Sequence, residues 1–304
     1  MTKPLISVAI PAYNHACYIE SCLQSVINQT YPNIELVIID DGSTDSTVAK
    51  VTHLLNKHSN RFTNIIFETQ NNQGVSATSN KAISLCNGEW VHLLGSDDLI
   101  HPNKVSHQFA AISTWKDPYL ALVYADANYI NENNAIISKP QKNRPQTGIT
   151  RSAYLQLFLQ NPITNPTIAI KKEAFLSIGG FDETLKLEDW DCWLRLSVNY
   201  SIARLPEVLA SYRYHPHNTS RNQHLMLEAM LRTFAKFLEI HGDLIPPEIR
   251  KQSFRDNLHR LYRWAKQNHP ALLLPILKDT LASPFHIPEA QDYTYYADRL
   301  AQSA

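Results

Sequence analysis

Short apolar runs alternate with segments of helical periodicity over the N-terminal third of the chain. The apolar runs extend over Leu5 to Ile10, Ile34 to Ile39, Ile65 to Phe67 and Trp90 to Leu94. The segments between them show helical spacing of apolar residues over Tyr18 to Ile27, Ser46 to Leu55 and Val75 to Leu85. Because consecutive strands joined by helices pair in parallel, the alternation predicts an α/β fold. We expect a Rossmann-like, mostly parallel sheet with helices on both faces.

Polar clusters follow three of these four runs, at the point where each strand should end. They are Tyr13-Asn14, Asp40-Asp41 and Asp97-Asp98. Any one cluster is explained by an ordinary turn. Ligands of open α/β sheets bind outside the carboxyl ends of the strands. Three clusters at the same edge of the sheet therefore indicate a binding site.

The run that ends in Asp97 and Asp98 allows two interpretations. Adjacent carboxylates raise each other's pKa unless a cation lies between them, and Mg²⁺ or Mn²⁺ is bound by one or two carboxylates together with substrate phosphates. In the other interpretation, a Ser or Asp before Leu99 caps a helix. The chain contains neither GxGxxG nor GxxxxGK, so a metal would have to neutralise any bound phosphates.

Composition narrows the function classes. The formal net charge is +0 and the pI is near 7.2, so no overall field attracts nucleic acid, and we expect no nucleic-acid partner. The four cysteines show no CxxC spacing, which predicts buried free thiols in a reducing compartment. No apolar stretch reaches the roughly 20 residues that span a bilayer, and the N-terminus lacks a signal-peptide pattern. We therefore expect a cytoplasmic protein.

The remainder of the chain is predicted to be helical at its C-terminal end. Past Pro102 we expect a helix to about Trp115, a strand over Leu120 to Asp126 and a polar loop over Asn131 to Gly148. Residues 225–240 and 254–265 have amphipathic helical spacing, and the second helix, near residues 250–266, carries a basic side that includes Arg250 and Lys266. Such a helix either packs on the protein or contacts an anionic membrane at the inner face of the cell.

Five motifs occur in order along the chain. They are Ile10-Pro11-Ala12-Tyr13-Asn14, Ile39-Asp40-Asp41-Gly42-Ser43-Thr44-Asp45, Gly74-Val75-Ser76-Ala77, Ser96-Asp97-Asp98, and Gly180-Phe181-Asp182 leading to Glu188-Asp189-Trp190. The series resembles the family 2 glycosyltransferases, which have the GT-A fold. The resemblance implies a catalytic domain over residues 1–220 and leaves a helical extension over residues 221–304. It further implies inverting transfer of a sugar from a nucleoside diphosphate donor.

The resemblance also assigns residues to the donor and to a metal. The donor would be bound by Pro11, Tyr13, Asn14, Asp40, Asp41, Asn80 and Asp97. Within this set, Asp40 would accept a hydrogen bond from the nucleobase, and Asp97 would face the ribose and the sugar. Asp98 would be the principal ligand of Mn²⁺ or Mg²⁺, together with Asp97 and His215.

The acceptor side is assigned to the pair Glu188 and Asp189. Asp189 would be the general base that takes the proton of the attacking hydroxyl, oriented beside Glu188. The residues themselves leave another explanation open, because acidic side chains in the first turn of a helix stabilise the helix by capping and by the dipole.

Two positions depart from the family pattern. Gly95 stands where many members have Asp, and Ser79 stands where many have Arg. The Gln-x-x-Arg-Trp signature of processive synthases is also missing. We therefore expect addition of a single sugar from a donor such as a UDP-sugar to a glycan or lipid-linked acceptor in surface polysaccharide assembly. The alternatives are a non-catalytic sugar-nucleotide-binding protein and a sugar-nucleotide pyrophosphorylase.

Overall fold

A computed structural model describes residues 3–140, 148–282 and 286–302. The chain forms two compact units, each built from several segments. The sheet unit consists of Met1–Ser152, Ile163–Phe181 and Asn199–His215. The helical unit consists of Ala153–Pro162, Asp182–Val198 and Pro216–Ala304. The helical unit therefore includes, besides the C-terminal helices, two segments from the predicted catalytic domain.

Ten strands and eleven α-helices occur in the described ranges. The first half of the chain contains β1 (Ile6–Ala12), α1 (Ile19–Ile27), β2 (Ile34–Asp40), α2 (Thr47–His58), β3 (Asn64–Thr69), α3 (Val75–Leu85), β4 (Trp90–Leu93), β5 (Leu99–Ile100), α4 (Lys104–Trp115), β6 (Leu120–Ile130), β7 (Ile136–Ser138) and β8 (Gly148–Thr150). The second half contains α5 (Tyr154–Leu157), β9 (Ala169–Lys171), α6 (Lys172–Ser177), α7 (Glu188–Asn199), β10 (Ser201–Arg213), α8 (Gln223–His241), α9 (Pro247–Asn268), α10 (Leu273–Ala282) and α11 (Ala290–Ala301).

The strands form one mixed sheet in the order β3-β2-β1-β4-β9-β6-β10-β5, with β7 beside β6 and β8 beside β10. The α/β fold is as predicted, and β3, β2, β1 and β4 pair in parallel. The second half differs. β6 and β10 are parallel, whereas the pairings of β5, β7, β8 and β9 in the described residues are antiparallel. The first four strands are connected by α1, α2 and α3, which supply the crossovers that parallel pairing needs.

The two faces of β1 are covered by different helices. Ile6, Val8 and Ile10 belong to a buried cluster with residues of α1, whereas α3 contacts β1 and β2. Since successive strand residues point to opposite faces, α3 covers the side that carries Ser7 and Ala9. The strand β2, which lies between β3 and β1, is buried along its whole length, as expected for a strand with helices on both sides.

Parallel register brings the predicted strand ends together. Ala12 of β1 pairs with Asp40 of β2, and the Leu94 amide donates to the Ala9 carbonyl of β1 at 2.9 Å. The clusters at residues 13–14, 40–41 and 97–98 therefore follow neighbouring strands at one edge of the sheet.

Several local predictions need correction. The alternative that residues 96–98 cap a helix is wrong, because Leu99 and Ile100 form a strand and α4 begins at Lys104. The predicted loop from Asn131 contains β7, and its residues 141–147 lie outside the described ranges. Cys17 is exposed, while the other three cysteines are buried, and all four are free.

The helical unit has an aromatic core. The Phe234 ring of α8 lies 4.8 Å from the Phe158 ring and 5.2 Å from the Trp190 ring. On α9, Arg250 is buried and binds Glu289 at 2.6 Å, so it does not lie on the exposed basic side predicted for this helix. Among the described residues, no helix is long and apolar enough to cross a membrane.

Candidate functional site

Asp40 is the last residue of β2, and within the described residues only one of its two carboxylate oxygens accepts a hydrogen bond. Its side chain is 1% exposed, and Oδ2 accepts a hydrogen bond from the Ser43 amide at 2.9 Å. Oδ1 is buried and has no partner within the described parts of the chain. An unpaired buried acceptor costs about 1–3 kcal/mol, so this oxygen is well suited to accept an N–H group of a ligand.

Asn14 connects the loops that follow β1 and β2. Its backbone adopts a left-handed φ of 49°, its amide donates to Ser43 Oγ at 2.8 Å, and its Oδ1 accepts from the Thr44 amide at 2.8 Å. Asn14 therefore holds the loop after β2 in place through hydrogen bonds inside the protein. The adjacent Tyr13 ring is exposed, and Pro11 is half-buried in β1, so Tyr13 offers an aromatic face for stacking.

The carboxylate of Asp41 holds the loop that leads into α3. Oδ1 accepts from the Gln73 amide at 2.8 Å, and Oδ2 accepts from the Gly74 amide at 2.9 Å. Gln70 Nε2 also donates to Oδ1 at 2.9 Å. With both oxygens engaged inside the protein, the contribution of Asp41 in this structure is to fix the loop beside Asp40.

Asn80 bonds to the protein backbone through both ends of its amide. Its Nδ2 donates to the Phe181 carbonyl at 3.0 Å, and its Oδ1 accepts from the Phe181 amide at 2.9 Å. The predicted donor residue therefore tethers the end of the segment at residues 163–181 to α3.

Asp97 lies between two histidines. Its Oδ2 is 3.0 Å from His215 Nε2, and ligand atoms of His15, Asp97 and His215 all lie within 4.8 Å of one another. His15 Nδ1 is 2.7 Å from Ser96 Oγ, a contact that fixes the orientation of the ring, as outer partners of metal ligands do. Two imidazoles and one carboxylate so close together can bind one divalent ion.

The three side chains combine two kinds of ligand. The carboxylate of Asp97 suits hard cations such as Mg²⁺ and Mn²⁺, whereas the imidazoles of His15 and His215 suit first-row transition metals. The set therefore fits a divalent cation.

Neighbouring groups hold Asp97 in the charged form. Although burial acts to raise its pKa, the hydrogen bond from His215 brings the pKa of Asp97 below its ordinary value. Burial also lowers the pKa of His15 and so favours the neutral imidazole that a metal requires.

Asp98, the predicted principal ligand, lies outside this three-residue group. Its side chain is buried, and Oδ1 accepts from the Arg213 amide at 2.7 Å. Burial, followed by the adjacent charge of Asp97, raises the pKa of Asp98 well above its ordinary value. The structure thus groups Asp97, rather than Asp98, with the histidines.

Arg213 and His15 did not emerge from the sequence as site residues. The Arg213 side chain is fully buried, and its Nε donates to the Asp97 carbonyl at 2.6 Å. Nη1 donates to the Asn131 carbonyl at 2.9 Å and Nη2 to Asn134 Oδ1 at 2.7 Å. Arg213, the last residue of β10, therefore fixes the backbone of Asp97. In the sequence, its position two residues before His215 was the one indication that it belongs to the site.

Gly95 has a steric reason to be glycine. A Cβ atom at this position would lie 2.8 Å from Asp97 Oδ1 and 3.2 Å from Asp98 Oδ2. The departure from the family pattern therefore makes room for the two carboxylates in the positions they occupy here.

The carboxylate pair Glu188 and Asp189 begins α7 in the helical unit. Asp189 Oδ1 accepts from the Trp190 amide at 2.6 Å. Burial raises the pKa of Asp189 to about 6, and burial together with the Asp189 charge raises the pKa of Glu188 to about 7. A partly buried carboxylate with a pKa near neutrality has the properties of a general base.

The chain is similar in sequence to known proteins. The family model described as Glycosyl transferase family 2 matches residues 7–178. An uncharacterized glycosyltransferase of Rickettsia typhi is 31% identical over 242 residues, which are 78% of this chain and 73% of the relative. Chondroitin synthase of Escherichia coli is 30% identical over 71% of this chain, and the match spans only 30% of that longer protein.

Solved structures share the fold. Residues 1–349 of TarS from S. aureus, in complex with UDP-GlcNAc, align with a TM-score of 0.66 and 19% identity, covering 94% of this chain and 82% of the other. The mannosyltransferase PcManGT of Pyrobaculum calidifontis, in complex with GDP-Man and Mn²⁺, aligns with a TM-score of 0.65 and 18% identity, covering 99% and 86%. At this identity the likeness shows that the fold is GT-A.

Proposed function

The chain belongs to glycosyl transferase family 2, and on that premise we propose that it transfers a single sugar, with inversion, from a nucleoside diphosphate donor to a hydroxyl group. The grouping of Asp97 with His15 and His215 carries the proposal, because it offers a divalent cation site at the carboxyl edge of the sheet. That edge is where α/β folds bind their ligands.

The nucleotide is bound at the ends of β1 and β2. Asp40 Oδ1, buried and without a protein partner in the described ranges, accepts an N–H of the base, while the exposed Tyr13 ring stacks on it. Uracil presents one ring N–H for such a contact, and the complex of TarS with UDP-GlcNAc gives a precedent in the same fold. A UDP-sugar is therefore the favoured donor.

Asp97, His15 and His215 would hold a divalent cation such as Mn²⁺. A bound divalent cation stabilises the negative charge of the departing diphosphate as a Lewis acid. The chain's own contribution is to keep Asp97 ionised through His215 and to fix its backbone through Arg213. The complex of PcManGT with Mn²⁺ supports the choice of metal by analogy.

Asp189 acts as the general base. An acceptor hydroxyl has a high pKa, so its proton must be taken as the oxygen attacks. The raised pKa of Asp189, about 6, makes it a stronger base than an ordinary carboxylate while leaving it mostly ionised at neutral pH. The pKa of the neighbouring Glu188 is raised to about 7, so its protonation sets the total charge of the pair near neutral pH.

The acceptor is a glycan or a lipid-linked sugar at the cytoplasmic face of the membrane, in the assembly of a surface polysaccharide. The exposed face of α10 supports a peripheral membrane contact, because Leu274, Leu277 and Leu281 are 77%, 45% and 78% exposed. Residues 251–278 carry six Lys or Arg and only Asp256 as an acid, a balance that favours anionic lipid.

A screen of UDP-, GDP- and dTDP-sugars with Mn²⁺ tests the function. Protein melting temperature reports binding, since a ligand at 100 times its Kd adds about 2.7 kcal/mol, and nucleoside diphosphate release reports turnover. We expect one sugar nucleotide to raise the melting temperature and to be consumed faster when an acceptor is added. Binding without turnover under all acceptors would favour the non-catalytic alternative. No response to any donor would contradict both.

A further inference from the structure

Lys236 of α8 joins two acidic residues that flank the start of α7. Its Nζ lies 2.7 Å from Asp182 Oδ2 and 2.8 Å from Asp191 Oδ1. Asp182 begins the segment that leads into α7, and Asp191 lies in the first turn of the helix. The Lys236 ammonium group thus links a residue before Glu188 and Asp189 to a residue after them.

Asp191 depends on this contact. Its side chain is 2% exposed, with Oδ2 held by Arg195 Nε at 2.7 Å and Oδ1 held by Lys236. Without Lys236, Oδ1 would lose its charged donor in a buried position, which is a costly arrangement. The Lys236 ammonium group also acts on Asp182. Although burial acts to raise the pKa of Asp182, the hydrogen bond from Lys236 lowers it to about 2.

The residue directly after Asp189 is anchored as well. Trp190 Nε1 donates to the Leu157 carbonyl at 2.8 Å, and its ring packs edge-on against Phe234 of α8 at 5.2 Å. The two residues that follow Asp189 are therefore both held by α8, one through ring packing and one through an ion pair.

We propose that Lys236 is a positioning residue for the general base, and that α8 is thereby part of the catalytic apparatus. The inference rests on the proposed role of Asp189. It gives a function to a helix that lies beyond the family match at residues 7–178. Because a misplacement of about 1 Å can cost 10²-fold in rate, loosening the start of α7 should slow turnover while leaving donor binding intact.

The test compares Lys236→Met with Asp189→Asn and with the double variant, each assayed as nucleoside diphosphate release from the donor that the screen identifies. Arg232→Met is the matched control. Arg232 lies one turn earlier on α8 and also joins two carboxylates, Glu228 at 2.9 Å and Asp298 at 3.1 Å, and neither of these residues belongs to α7. Lys236→Arg tests rescue, since Arg keeps the charge and can bridge two carboxylates.

We expect Lys236→Met to lower kcat by about 10–100-fold, with donor Kd unchanged and with Arg232→Met and Lys236→Arg close to wild type. In the Asp189→Asn background, Lys236→Met should lower kcat no further, because it acts through Asp189. Should Lys236→Met fail to fold, Asp182→Asn removes half of the bridge and should lower kcat in the same direction.

Three results would overturn the inference. Normal kcat in folded Lys236→Met, while Asp189→Asn is impaired, leaves Lys236 with a structural role and the proposed function intact. An equal loss of kcat in both backgrounds shows that Lys236 acts elsewhere. Normal kcat in Asp189→Asn removes the base assignment itself, and the positioning role with it.

Discussion

His215 Nε2 lies 3.0 Å from Asp97 Oδ2, although the two residues are 118 positions apart in the chain. The contact joins the loop after β4 to the residues after β10. Arg213, the last residue of β10, also donates a hydrogen bond to the Asp97 carbonyl. It keeps Asp97 ionised, and it places an imidazole where a metal would need a second ligand. The predictions below follow from this arrangement and from the groups around it.

Gly95→Ala should weaken metal activation. The new Cβ would lie 2.8 Å from Asp97 Oδ1, so the carboxylate must move away from the histidines. We expect a higher Mn²⁺ concentration for half-maximal turnover and a stability loss of about 1–3 kcal/mol. Gly242→Ala is the control, because its Cβ would have no neighbour closer than 3.6 Å. Equal Mn²⁺ activation in wild type and Gly95→Ala would contradict the geometry.

Asp40→Asn should weaken binding of the free nucleotide even without metal. Its amide oxygen can still accept from Ser43, while its NH₂ replaces the unpaired acceptor with a donor. A hydrogen bond to a charged group contributes about 1.5–3 kcal/mol, so calorimetry should show a loss of about 10–100-fold in affinity. Glu68→Gln on β3 should change nothing. Unchanged affinity in Asp40→Asn would remove the base contact.

Turnover should depend on pH through the pair at the start of α7. Asp189 accepts a proton only when ionised, and its pKa is raised to about 6, so kcat should fall as pH decreases through that value and level off above about pH 7. Glu188 has a pKa of about 7 and is mostly protonated at the pH of this fall, so Glu188→Gln should leave the fall near pH 6. Saturating Mn²⁺ and donor at each pH separates this effect from titration of the histidines. A flat profile from pH 5 to pH 8 would exclude the assignment.

Replacing Leu274 and Leu281 by Ser should release the protein from anionic vesicles. A fully buried Leu contributes about 1.5–3 kcal/mol, so sedimentation with phosphatidylserine vesicles should show at least about a tenfold loss of binding. Binding of the wild type should also fall as salt shortens the Debye length below about 8 Å. Val75→Ser, an exposed apolar residue of the sheet unit, is the control. No wild-type binding at low salt would exclude a membrane contact.

The sequence predicted the part of the fold that is built from local pattern. Four apolar runs and their helices gave the parallel strands, and α3 has the predicted bounds Val75–Leu85. β10 was missed because Pro206 and Glu207 interrupt its strand pattern. The structure accommodates them by shifts of register between Arg204 and Val208, an irregularity where Pro is tolerated within a sheet.

The site was predictable only where its residues end strands. Asp40 and Asp97 follow apolar runs, so their position at the edge could be inferred. His15 lies in a loop after β1, and nothing in its local sequence indicates that Asp97 will lie beside it. The structural roles of Asp41 and Asn80 could not be predicted for the same reason. Their hydrogen-bond partners at residues 73–74 and 181 are brought to them only by the tertiary fold.

Mn²⁺ binding, measured by electron paramagnetic resonance with UDP present, tests the central claim most directly. We compare the wild type with His15→Ala, Asp97→Asn and His215→Ala, and use His107→Ala as the control, since the exposed side chain of His107 on α4 pairs with Glu207 of β10. Loss of a direct ligand should weaken Mn²⁺ binding at least as much as the 10–100-fold typical of outer partners, and turnover should fall with it. Mn²⁺ affinity and turnover equal to wild type in all three variants would contradict the account.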